Sequence, residues 1–291
     1  MEDKAISQHF LDTSVARPLL LGTQAYKQYF KSQFGDQSLY ISNYVQMEMR
    51  RSYLINLISF YFVLRLETIN NIGDAIALWS NRFKTSELKA VLQLIPQLFS
   101  THKLDFTSSQ DKEKALSILG IYIKRFELIL RKKFTNANQD STACTRAVVP
   151  LRVELRNIAP GLKQFADEFG DVENCRNQCQ IDKFILSQYR SEIEAYIQQS
   201  SQLPKNSNTK GFIKIADNLK EILERGESAC DCKRCEKIGD AVIALDAPRT
   251  MQLEHTDNSF DYLCPQINQL HYKHPSETQI VISQSPHTQG E

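Results

Sequence analysis

Four carboxylates stand where the short apolar runs of the chain end or its helical patterns begin. They are Asp12 in HFLDTSV, Glu48 in LYISNYVQMEMRRS, Asp240 in KIGDAVIAL and Asp257 in MQLEHTDNSFDYLC. Carboxylates brought within a few ångströms of one another repel, and they cannot all stay ionised without a counter-charge. A divalent cation supplies that charge, and a ligand set made only of hard oxygens suits Mg2+ or Mn2+. A cation held in this way activates a water molecule and stabilises a phosphoryl centre under attack. Taken singly, each acid has a plainer reading: Asp12 and Asp240 as helix caps, Glu48 as a solvated helix residue. It is the set of four that points to metal chemistry.

The elements that would position these acids lie at the two ends of the chain. Ile6 to Leu11 reads as a short buried strand ending at Asp12, followed by a helix from Thr23 to Phe34. Leu39 to Ile41 gives a second strand. Asn43, with Gln46 three residues on, resembles a capping box that opens a long apolar helix with Glu48 near its first turn. Near the other end TMQLEHT alternates as a strand, with Met251, Leu253 and His255 on one side and Gln252 and Glu254 on the other. It then breaks into small hydrogen-bonding residues around Asp257. Open α/β sheets keep their ligand sites at strand ends, so Asp257 is placed to face one, with Thr256 and Asn258 bracing the turn. Alternation sets His255 opposite Glu254, a structural position rather than a catalytic one.

Between these ends the period is helical. Leu88, Val91, Leu92, Ile95 and Phe99 follow it, as do Ala115, Leu119, Tyr122, Phe126, Ile129 and Leu130. Further helices are expected over Asp182 to Gln199 and over Phe212 to Arg225, the second stopped by Gly226. No strand is expected from Thr85 to Arg225. After Cys235 the α/β pattern returns: KIGDAVIAL as a buried helix, TMQLEHT as a strand, and TQIVIS, Thr278 to Ser283, as a final edge strand. The expected organisation is one α/β domain built from residues 1–84 and 230–285. A helical insertion at 85–229 interrupts it, and 286–291 form a frayed tail. Distant halves of a sheet can still pair, because loop-closure entropy grows slowly with length. The stretch INNIGDAIALW nearly repeats the motif around Asp240. Asp240, however, lies one helix ahead of the strand that ends at Asp257, as a βαβ unit requires, whereas Asp74 has no strand after it. Asp240 is therefore the third acid.

In their order and setting, FLDTSV, LYISNYVQMEMRRS, IGDAVIAL and EHTDNSFD resemble the four acidic motifs of PIN-domain ribonucleases. The resemblance covers residues 1–65 and 236–285. It implies a Rossmann-like α/β/α sandwich about a central parallel sheet, a Mg2+ or Mn2+ site, and an endoribonuclease that hydrolyses RNA. It makes Asp12, Glu48, Asp240 and Asp257 ligands of metal or water. Asp12 and Asp240 hold the main ion, and Glu48 and Asp257 complete the shell or orient the attacking water. Thr13, Ser14 and Asn258 become secondary, substrate-side residues. Arg50 and Arg51, close to Glu48, are candidates to hold a substrate phosphate. The chain departs from the family between Glu48 and Asp240, which are about 190 residues apart where a compact α/β unit needs a few tens. Selection of the RNA would then fall to the insertion. The alternative is a catalytically silent PIN-like scaffold whose insertion binds a protein partner or inhibitor.

The net charge is +1, so the chain has no global basic field, and an RNA would have to be held by a local patch. The densest basic stretch is IKRFELILRKKF, with Lys124, Arg125, Arg131, Lys132 and Lys133 interleaved with Phe126 and Phe134. Such a stripe can neutralise phosphates, or it is a solvated helix face with a basic C-terminal end. Among seven cysteines, Cys175 and Cys179 form one closely spaced pair and Cys232 and Cys235 another. Together they fit a structural Zn2+ site of four thiolates, and free thiols fit equally well. Cys144 and Cys264 are expected to be buried thiols. His271 and His274, in HYKHPSE, are placed in a loop rather than at a metal. The opening MEDKAISQHF has no apolar signal core. The most apolar run, Ser52 to Leu64, falls short of the about 20 residues a membrane span needs. A cytoplasmic chain with no membrane partner is the expectation.

Overall fold

The computed structural model describes residues 8–49, 54–80, 95, 99, 102–137, 181–226, 237–276, 279–280 and 283. The chain divides into two compact units: Met1–Met47, Lys133–Arg146 and Cys175–Glu291 form the first, Glu48–Lys132 and Ala147–Asn174 the second.

The first unit is built on a parallel sheet. Its strands are β1 (His9–Leu11), β2 (Leu39–Ile41), β3 (Thr135–Asn136), β4 (Gln252–His255) and β5 (His271–Lys273), in the order β3-β2-β1-β4-β5. Every neighbouring pair is parallel. The expected mixed α/β class with a parallel sheet is therefore what the chain adopts. The strands foreseen at Leu39 to Ile41 and within TMQLEHT form as expected.

Two strands depart from expectation. β3 lies in the stretch where no strand was foreseen. Two residues cannot show alternation, and only pairing with β2 creates this strand, through Tyr40 with Thr135 and Ile41 with Asn136. β5 lies where a loop was expected, whereas Gln279, Ile280 and Ser283, in the stretch foreseen as the edge strand, are helical. Polar His271, exposed Tyr272 and exposed Lys273 give no apolar period, which is how short edge strands avoid pairing with other chains. Ile280 is buried, so its apolar character serves a helix rather than a strand.

The helices begin and end for local reasons. Helix α1 (Thr13–Leu21), absent from the sequence-based reading, starts because the Asp12 carboxylate accepts the Ser14 N–H at 3.0 Å. Its interior Pro18 obscured it, yet in so short a helix proline removes only one hydrogen bond. Helix α2 (Gln24–Phe34) is capped by the Thr23 hydroxyl, which accepts from Tyr26 N–H at 3.3 Å, and stops at Gly35 with φ of 55°. Helix α3 (Asn43–Met49) is capped by Ser42 rather than by Asn43, since Ser42 Oγ accepts the Val45 N–H at 3.1 Å. Glu48 therefore falls in the second turn of α3, not the first.

Parallel register fixes which side chains share a face. His9, Leu11, Gln252, Glu254 and Tyr272 lie on one, and Phe10, Leu253, His255, His271 and Lys273 on the other. Helix α2 covers the first face, with the Phe34 ring 4.8 Å from His9 and Phe30 4.7 Å from His274. Helix α11 (Phe260–Gln266) joins β4 to β5 over the second face, with the Phe260 ring 4.9 Å from His255.

The expected helix over Asp182 to Gln199 is two, α7 (Ile181–Gln188) and α8 (Arg190–Gln202), broken at Tyr189. Helix α9 (Lys210–Arg225) follows and ends at Gly226 with φ of 74°, as its sequence foretold. Its buried Phe212, Ile215, Ala216, Leu219 and Ile222 keep the helical period. Phe212 stacks on Tyr262 of α11 at 5.5 Å and meets Tyr196 of α8 edge-on at 6.2 Å. Helix α10 (Gly239–Asp246) precedes β4 and is buried almost throughout.

The second unit contains α4 (Ile55–Leu64), α5 (Ile72–Ser80) and nearly all of α6 (Ser109–Lys133). Trp79 Nε1–H donates to Ser59 Oγ at 3.1 Å, which ties α5 to α4. On α6 the foreseen Ala115, Leu119, Phe126 and Leu130 are buried. Lys124, Arg125, Arg131, Lys132 and Lys133 are exposed, a solvated face with a basic end. Among the described residues no helix is long and apolar enough to cross a membrane.

Candidate functional site

The strand order reverses between β1 and β4. In open parallel sheets the crevice outside the carboxyl ends at such a reversal is where ligands bind. Asp12 follows the last residue of β1, and Asp257 lies two residues beyond β4. Asp12 is 4 % exposed and its N–H donates to the Glu254 carbonyl at 3.0 Å, so the two strand ends are directly joined. Ser14 joins them again: its hydroxyl donates to Asp12 Oδ2 and accepts the Thr256 N–H at 3.1 Å. Asp257 is exposed. Its Oδ1 accepts from both the N–H and the hydroxyl of Ser259 at 2.8 Å, which fixes the turn into α11.

Burial holds the Asp12 carboxyl above the ordinary carboxylate range. The Ser14 hydroxyl and the Ser14 and Thr13 amides pull it down, and the charge of Asp257 pushes it further up.

Asp240 sits in the first turn of α10, half-buried. Residues 247–251 lead from α10 into β4. Glu48 is half-buried on α3, which leaves the carboxyl end of β2, and it is the first residue of the second unit. Thr13 opens α1. Asn258 Oδ1 takes the Lys273 ammonium, and its Nδ2 reaches Asn208 Oδ1 at 3.5 Å. Asp74 belongs to the second unit, where it is exposed and accepts the Asn70 N–H at 3.3 Å at the start of α5. Arg50, Arg51, Cys144, Cys175, Cys179, Cys232 and Cys235 lie outside the described residues. Cys264 is buried as foreseen, and burial pushes its thiol up to about 12.

Two histidine groups surround this edge, one on each face of β4. On the α2 side, buried Glu254 accepts from His9 Nδ1 at 2.6 Å and from His274 Nε2 at 2.7 Å. His9 Nε2 meets Gln37 Oε1 at 2.5 Å, so both nitrogens of this ring face oxygen acceptors, the arrangement an imidazolium needs. Burial opposes charge on His9, but the hydrogen bond and charge of Glu254 outweigh it and the imidazole is raised. Burial likewise opposes charge on Glu254, but the bonds and charges of His274 and His9 hold it below the usual range.

On the α11 side, His255 is fully buried, opposite Glu254 as alternation required. Its Nδ1–H donates to the Asp257 carbonyl at 2.9 Å, and its Nε2 stands 3.0 Å from His271 Nδ1. Burial, then the neighbouring His271, lowers His255 to about 4. His271 is a residue of β5, not of a loop. The alternation of β4 showed which face each residue takes. It carried no sign of partners 16 to 245 residues away.

Comparison of the chain with protein-family models, with curated proteins and with solved structures returns no match.

Proposed function

We propose that the chain is a divalent-metal-dependent endoribonuclease of the PIN-like kind, working at the carboxyl edge of its parallel sheet. One observation carries the reading. Asp12 and Asp257 follow the two adjacent strands at the order reversal, and the charge of Asp257 bears on the buried Asp12 carboxyl. The strand order is that of the first five strands of a doubly wound nucleotide-binding sheet, which supports a Rossmann-like sandwich.

The donor chemistry fits the ion. Asp12 is a carboxyl whose charged form burial disfavours, so a nearby cation favours that form, and hard oxygens suit Mg2+ or Mn2+. When bound, that cation supplies a Lewis acid for the attacking water and for charge at the phosphorus. The chain's residues do the rest. Asp12, oriented by Ser14, and Asp240 bind the ion, while Asp257 completes the shell or orients the water. Thr13 and Asn258 border the substrate.

The test is single-turnover cleavage of a mixed RNA pool with Mn2+, with Mg2+ and with a chelator. Wild type should cleave only with metal. Asp12→Asn and Asp257→Asn should each lose about 100-fold or more in rate, the scale of one positioned catalytic group. Asp74→Asn should stay near wild type. A folded wild type whose melting midpoint rises with Mn2+ but which cleaves no RNA would replace this reading with the silent scaffold that binds a protein partner.

A further inference from the structure

We propose that His255, Asp261 and His271 form a second metal site, for a divalent transition cation of the Zn2+ class, under α11 and beside the turn that carries Asp257. The three donor atoms, His255 Nε2, Asp261 Oδ1 and His271 Nδ1, lie within 4.8 Å of one another. They come from the end of β4, the first turn of α11 and the start of β5, which are directly packed elements. The two imidazole nitrogens are 3.0 Å apart, and Asp261 Oδ1 is 4.0 Å from His255 Nε2. Two donors on one Zn2+ stand about 3.3 Å apart when each bond is about 2.0–2.1 Å and the angle near tetrahedral. The histidine pair needs a shift of a few tenths of an ångström. Asp261, with 35 % of its side chain exposed, has room for the small rotation that brings it in.

Proton positions favour the same assignment. The Asp257 carbonyl can only accept, so His255 Nδ1 carries the hydrogen and the neutral ring keeps a lone pair on Nε2. A carbonyl on the remote ring nitrogen is the outer contact that metal-bound histidine normally has. Without metal, His271 Nδ1–H donates to that lone pair. With a cation, the His271 proton moves to its own Nε2, and both facing nitrogens bind the ion with no net proton released. Lys273 holds Asp261 Oδ2 at 2.6 Å, and this leaves Oδ1 on the side of His255. Its positive charge weakens the site without blocking it. Two imidazoles and one carboxylate select Zn2+-like ions rather than Mg2+, and they leave a coordination position open for water or an anion. A cation there ties β4, α11 and β5 together and so fixes the turn bearing Asp257.

The test is titration of the metal-free protein with Co2+, followed by displacement with Zn2+. One equivalent should give the intense visible bands of a four- or five-coordinate nitrogen–oxygen site, without thiolate charge transfer. An all-oxygen octahedral site absorbs only weakly. His271→Ala and Asp261→Asn should lose the bands while keeping the wild-type circular dichroism, and Zn2+ should raise the melting midpoint of wild type but not of His271→Ala. Asp12→Asn should keep the bands. Absence of bands in folded wild type, their survival in both His271→Ala and Asp261→Asn, or charge transfer from cysteine would overturn the proposal. So would loss of the bands in Asp12→Asn. The site does not depend on the nuclease reading: intact bands in a protein that cleaves no RNA would leave it standing and remove only that reading.

Discussion

Ser14 is the residue that couples the two strand ends at the crevice. One hydroxyl donates to Asp12 and accepts from Thr256, across a sequence separation of 242 residues. Ser14→Ala leaves the Asp12 carboxylate with one bond fewer and the Thr256 N–H without its acceptor. It should cost about 1–3 kcal/mol, the penalty for a buried polar group left unsatisfied. Urea unfolding measures this, and an unchanged midpoint would show that the bond contributes nothing. On the proposed nuclease reading, the same variant should also weaken Mn2+-stimulated cleavage, since Asp12 loses its orientation. The strand-end places of Asp12 and Asp257 were legible in the sequence because a short apolar or alternating run precedes each. Ser14 was legible only as a neighbour of Asp12, because its role is set by a partner from the far end of the chain.

The strand β4 carries two different chemistries back to back. Its period of two puts Glu254 under α2 with His9 and His274, and His255 under α11 with His271. Glu254→Gln replaces a carboxylate that serves buried His274 and half-buried His9 by an amide that cannot accept from both. The loss should be about 3–5 kcal/mol at neutral pH, the scale for breaking a buried ion pair. The pH dependence has two signs. His9 is raised above its ordinary 6.5 in the fold, so its contribution is complete below pH 6.5 and fades as pH rises through the folded value. Glu254 is held below its ordinary 4.5, so its contribution is complete above pH 4.5 and fades as pH falls through the folded value. These two groups alone favour a mildly acidic maximum; buried His255, lowered to about 4, opposes it by costing stability as pH falls below 6.5. His9→Gln should flatten the alkaline fall in a series of urea midpoints; an alkaline limb identical to wild type would remove His9 as its cause. Strand alternation announced the two faces. It could not announce β5, whose residues HYK have no apolar period, nor the short β3.

The whole chain holds one tryptophan, Trp79, and it is fully buried in the second unit. Trp79→Ala should cost about 3–5 kcal/mol through the cavity it leaves. Trp79→Phe keeps much of the volume but gives up the Nε1–H bond to Ser59, and should cost less than Trp79→Ala by the greater part of that cavity penalty. Denaturant unfolding followed by far-ultraviolet circular dichroism compares the two variants. Equal losses would mean that volume is not what matters there.

The sequence by itself determined what depends on near neighbours: the helical period of α6 and α9, the glycine stop at Gly226, the short strands β2 and β4, and the strand-end places of Asp12 and Asp257. Caps and periods arise from contacts within a few residues, so they leave a local pattern. Only the tertiary structure decided that β4 lies beside β1, that Ser14 meets Thr256, that Glu254 joins His9 to His274, and that His255, Asp261 and His271 converge. The first three rest on parallel pairing between segments more than 200 residues apart, and the last on the pairing of β4 with β5, whose histidines are 16 residues apart. Such pairing is fixed by backbone hydrogen bonds that every residue offers alike, so it leaves no mark on the side chains until the strands are in place.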